Sequence, residues 1–170
     1  MPSYTNLLEE ALEAWEDARL GALEEAQNIP DENWDFRPTP EVRSVREMVV
    51  HILEVAMFMT GELTRPDTNF QRSPFEELIA AYAQQAYDAT TRQELLELMR
   101  SQLNEGKAAF QRVGELHMLQ FIKRFDGEQG TRLAWLNHGI AQEMYHRGQL
   151  TTYARLLGIE PALTKLIRGG

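Results

Sequence analysis

Apolar residues recur at three- and four-residue steps through four long stretches of this chain, the spacing that gives an α-helix one apolar face. In residues 5–26 the stripe is Leu8, Ala11, Leu12, Trp15, Ala18, Ala22 and Ala26, while Glu9, Glu10, Glu13, Asp17 and Glu24 fall largely off it. An amphipathic helix with a solvated acidic face is expected. Pro30 stops it, because proline lacks the amide hydrogen that a helix interior requires. Residues 28–43, with Pro30, Pro38 and Pro40, read as an ordered connection anchored by Trp34 and Phe36.

The next helix starts at a capping box, Ser44-Val45-Arg46-Glu47, in which each side chain satisfies a free backbone N–H of the other. Its core stripe is Val45, Met48, Val49, Ile52, Val55, Ala56, Met59 and Leu63, and Arg65-Pro66 ends it. Ser73-Pro74-Phe75-Glu76 repeats the start signal for a short helix reaching about residue 87. Thr91-Arg92-Gln93-Glu94 opens a third long helix, striped from Leu95 to Val113 and ending at Gly114. Between residues 116 and 130 the alternation is imperfect and Asp126-Gly127 marks a turn, which fits a short hairpin. Residues 131–157 form the fourth long helix, closed by Gly158 and Pro161, and the tail 162–170 is weakly patterned. The expected fold is all-α: a four-helix bundle with a long middle connection carrying a short extra helix, in a single domain over residues 1–170.

Composition narrows the chemistry. With 170 residues, 43% of them hydrophobic and 25% charged, the chain can bury a core without staples. No apolar run approaches the roughly 20 residues that span a bilayer, so no membrane partner is expected. Nor does the start resemble a signal peptide, and the expected location is the cytoplasm. There is no cysteine, so any metal must be held by imidazole, carboxylate or amide. A net charge of -9, with scattered Lys and Arg, opposes nucleic-acid binding, which rests on counterion release to a basic surface.

The stretch Gln142-Glu143-Met144-Tyr145-His146-Arg147-Gly148-Gln149-Leu150 sets an amide, a carboxylate, an imidazole and a guanidinium on little more than two helical turns. His146 shares the apolar side of its helix with Trp135, Gly139, Leu150 and Tyr153 and so faces inward. Gly148, costing roughly 1 kcal/mol against Ala in mid-helix, predicts a close backbone approach there. His51 flanks the stripe of the second long helix. Alone it would read as a packed core histidine; with His146 it supplies a second imidazole to one interior. The third ligand is left open between Gln142 and Glu143. A ferritin-like di-iron site is disfavoured, because His51-Ile52-Leu53-Glu54 reverses the Glu-x-x-His order that Glu143 and His146 keep. No Gly-x-Ser-x-Gly element supports a serine hydrolase.

The segment from Arg37 to Glu47 followed by His51, and then His146-Arg147-Gly148-Gln149-Leu150, resemble the two signature regions of the DinB-like (YfiT-like) superfamily of bacterial four-helix bundles. The resemblance extends over nearly the whole chain in order and spacing. It implies a zinc or nickel site with one ligand from the second helix, on His51, and two from the last, on Gln142 and His146. Gln142 stands where the family usually has His, and an amide is a poorer ligand than imidazole. Relatives include thiol-dependent S-transferases and isomerases.

Two functions remain. One is a divalent-metal enzyme acting on a small molecule by thiol transfer or hydrolysis, a low-molecular-weight thiol among its partners. His51, Gln142 and His146 would then ligate metal, and Glu143 would be general base. The other is a metal-free bundle whose degenerate site binds a ligand or a partner. A homodimer suits either.

Overall fold

The computed structural model describes residues 5–169, and its architecture is the expected four-helix bundle. The long helices are α1 (Leu7–Asn28), α2 (Val45–Leu63), α5 (Arg92–Met118) and α6 (Arg132–Leu156). Between α2 and α5 lie two short helices, α3 (Phe75–Ala80) and α4 (Gln84–Asp88). Strands β1 (Phe121–Lys123) and β2 (Gln129–Thr131) pair antiparallel before α6, and α7 (Ala162–Gly169) follows it.

Local chemistry sets most of these boundaries. Ser44 and Thr91 each form a complete capping box, with Glu47 and Glu94 returning the bond to the cap backbone. The third start signal behaves differently. Pro74, not Ser73, occupies the cap position of α3 without a side-chain cap bond, and the expected single helix is split in two before residue 87. Gly114 bends α5 rather than ending it: at φ 78° and ψ 170° it leaves the helix, and a further turn runs on to Met118. The tail, weakly patterned in sequence, is helical as α7. Glu25, buried near the end of α1, accepts the backbone N–H groups of Ala162 and Leu163 at 3.0 and 3.1 Å and so caps α7 across the chain.

Helices α1 and α2 each pack against both α5 and α6, so successive helices α1 and α2 sit diagonally across the bundle. The proline-bearing connection crosses that diagonal, and Trp34, fully buried, anchors it. The core divides into two apolar clusters. One gathers Trp15, Phe58, Phe110 and Trp135; the other gathers Trp34, Ile52, Met99 and Leu150. Between them runs a buried polar layer of Arg19 on α1, Gln102 on α5, and Glu143 and His146 on α6. Because α2 and α6 are neighbours, His51 meets His146 at the edge of this layer.

Candidate functional site

The His51 and His146 rings lie edge to face, with centroids 5.0 Å apart and planes at 84°. Each imidazole is tied at Nδ1 by the residue three positions on along its own helix. His51 Nδ1 donates to Glu54 Oε2 at 3.0 Å, and His146 Nδ1 donates to Gln149 Oε1 at 2.7 Å. A proton held at Nδ1 leaves the lone pair at Nε2. His51 Nε2 accepts from Gln142 Nε2 at 3.0 Å, whereas His146 Nε2 is buried and has no hydrogen-bond partner among the described residues. Burial lowers the pKa of both rings from the ordinary 6.5, and the nearby Arg43 charge lowers both further, against the opposing pull of Glu54 on His51 and of Gln149 and Glu143 on His146. Both are therefore neutral near pH 7, the form that ligates metal.

Glu54 and Gln149 carry the signal that sequence reasoning passed over. Each follows its histidine at i+3, the helical spacing of contacting side chains. Glu54 is also engaged from α4: burial, and then its bond to this carboxylate, pushes the Tyr87 hydroxyl up to about 12.

Glu143 sits elsewhere. Its Oε1 accepts from Trp15 Nε1 at 2.7 Å and Arg19 Nη2 at 2.6 Å, and its Oε2 accepts from Arg19 Nε at 2.8 Å. Arg19 also donates to the Met99 carbonyl and to Gln102 Oε1. Both carboxylate oxygens are thus held inside the bundle by α1. Gln142, one residue earlier, is brought to His51 instead. The Arg147 side chain packs against α1, where a Cβ added to Gly21 would run into its guanidinium. The close backbone approach expected at Gly148 is not found: Gly148 is exposed, with open space where a Cβ would be, and the tight contact of this stretch is that of the Arg147 side chain with Gly21. The remaining histidines play other parts. His117 Nε2 bonds the Leu63 carbonyl at 3.0 Å, and the His138 ring lies against Trp135 at 4.7 Å.

Beside His51 and Gln142 opens a cavity of about 470 Å³, walled by Phe58 of α2, Phe75 of α3, Phe125 of the hairpin turn and Trp135 of α6. Such a volume is typical of small-molecule sites, which commonly lie between helices of bundles. A family model matches residues 1–168, and that family is the DinB family. The chain belongs to the DinB family.

Solved structures agree with that assignment in fold. This DinB-family chain is similar to YfiT from Bacillus subtilis, a probable metal-dependent hydrolase with an unusual four-helix bundle topology, at 16% identity and a TM-score of 0.67, over 94% of this chain and 92% of that one. It is similar to a DinB-like protein from Bacillus subtilis at 20% identity and a TM-score of 0.66, over 88% and 92% of the two chains. A mycothiol-dependent maleylpyruvate isomerase aligns at 15% identity and a TM-score of 0.66, over 88% of this chain but only 63% of its own length. At such identities the likeness is one of fold. No curated protein matches the chain.

A metal is implied by the fold family, and the residues present fit it in part. Two neutral imidazoles with pinned Nδ1 atoms offer Nε2, and one of those atoms is buried and unpartnered. Among the described residues, no group of three or more His, Cys, Asp or Glu side chains is arranged to hold an ion, and the polar side chain set against His51 Nε2 is the Gln142 carboxamide.

Proposed function

We propose that this DinB-family protein is a divalent-metal enzyme that acts on a small molecule, by thiol transfer or hydrolysis, in the cavity beside His51. The observation that carries the reading is the buried, unpartnered Nε2 of His146 beside a second imidazole whose opposite nitrogen is likewise tied down. Buried polar atoms without partners are uncommon in folded proteins, and one such atom on a ligating side chain points to a missing partner. His51 and His146 would hold zinc or nickel, with the Gln142 carboxamide oxygen as third donor. When bound, such an ion supplies Lewis-acid polarisation of a water or thiol.

The chain's own groups do the rest. Glu54 and Gln149 fix the rotation and tautomer of the two rings, as supporting partners of ligating histidines do. Gln142 has to turn its carboxamide over, because its nitrogen now faces His51 Nε2. A general base is not assigned to Glu143 in this reading, because Arg19 and Trp15 occupy both its oxygens. A low-molecular-weight thiol as co-substrate, a homodimeric assembly and a cytoplasmic location belong to the same proposal.

A second reading rests on the Gln142–His51 bond. In a metal-free protein the amide donates to the lone pair a metal would need, and the site serves to bind a ligand or a partner. Metal analysis of protein purified without added metal separates the two. Stoichiometric zinc or nickel, lost in His146→Ala, is the result expected of the enzyme. An empty wild type that gains metal with Gln142→His overturns it and identifies a degenerate site.

A further inference from the structure

Four rings from four elements wall the cavity at His51, and they are set against one another rather than closed over it. Phe75 stands 4.7 Å from Phe125 and 5.6 Å from Phe58, and Phe125 stands 5.0 Å from Trp135, all tilted or edge to face. Phe75 and Phe125 remain 41% and 43% exposed. Folding alone would favour burying two such rings, each of which gains roughly 25 cal/mol per Å² of apolar area removed from water. Among the described residues, no formally charged side chain lines the space. Its ionisable walls are His51 and His138, and its polar end is formed by His51 and Gln142.

We propose that this cavity takes a small molecule with an uncharged aromatic body, its ring among Phe58, Phe75, Phe125 and Trp135 and its polar reacting group at His51 and Gln142. The absence of charge in the aromatic walls sets the class of the ligand's body, because a charged group placed among those rings would lose its hydration without a counter-charge. The ring preference follows from the edge and face orientations the walls present, which an inserted aromatic ring continues. The volume of about 470 Å³ suits a molecule of modest size and excludes a folded chain. The ligand class deepens the function proposed above and rests on it for the placing of the reacting end.

The probe is 4-fluorobenzyl alcohol, followed by fluorine NMR as protein is added, in the presence of a chelator and again with zinc. A saturable shift and broadening of the probe line is expected in both conditions, and with the chelator present none is expected for trifluoroacetate, a small anion. Ala141 is an exposed α6 residue on the cavity wall, and Ala141→Phe fills the space from outside the core. Loss of the probe signal in a variant with unchanged circular dichroism supports the assignment. No saturable change in wild type, or an equal change in Ala141→Phe, overturns it even where zinc binds. Probe binding by a protein that takes up no zinc leaves the ligand class standing and removes the metal reading instead.

Discussion

Arg19 and Glu143 form a bidentate ion pair inside the bundle, with N–O distances of 2.6 and 2.8 Å and side chains 0% and 3% exposed. The pair links α1 to α6 at the layer between the two apolar clusters, and Trp15, Gln102 and the Met99 carbonyl complete its hydrogen bonding. Breaking such a pair from one side strands a buried charge. Glu143→Ala is expected to destabilise the protein by about 3 to 5 kcal/mol in urea unfolding. An unchanged midpoint together with lost turnover would instead return Glu143 to the role of catalytic base.

Metal affinity is expected to depend on residues that touch no metal. Glu54→Ala and Gln149→Ala each release a ring that is now fixed at Nδ1, and each is expected to weaken zinc binding by about 10- to 100-fold. Gln142→His is expected to strengthen it, because imidazole is the better donor for this ion. Competition against a chromophoric chelator measures all three, and equal affinities across the set would contradict this account of the site.

Stability is expected to fall as pH drops below the ordinary histidine value of 6.5. Both rings have lowered folded pKa values, so in this range the unfolded chain binds protons that the folded chain refuses. The contribution is complete above 6.5, declines below it, and levels off once pH passes the folded values. A His51→Asn, His146→Asn double variant should lose stability less steeply over that window, as read from urea midpoints at successive pH values.

Gly148 is a site for stabilisation rather than packing. Its Cβ position is open, so Gly148→Ala is expected to add roughly 1 kcal/mol to unfolding free energy. Gly21→Ala is expected to gain less, because the Arg147 guanidinium must swing off the face of α1 to admit the methyl group. Paired thermal unfolding of the two variants checks the contrast.

The sequence by itself determined the four long helices, because caps and periodicity are local. Ser44 with Glu47 and Thr91 with Glu94 act over three residues, and the stripes through α1, α2, α5 and α6 need only a 3.6-residue repeat to be read. His51 and His146 were legible for the same reason, as imidazoles beside apolar stripes, and so was the DinB likeness of their flanks. Contacts between elements were not. Helix α7 carries its own amphipathic spacing in Leu163, Leu166 and Ile167, but its cap comes from Glu25, far away in the chain, and nothing inside residues 162–169 announces that contact. The use of Glu143 was equally hidden: rotation about α6 leaves it open to either side, and only the packing of α1 against α6 delivers Arg19 and Trp15 to it. That same packing leaves Gln142 facing His51 on α2, so the tertiary structure decided which neighbour of His146 joins the site and which one holds the bundle together.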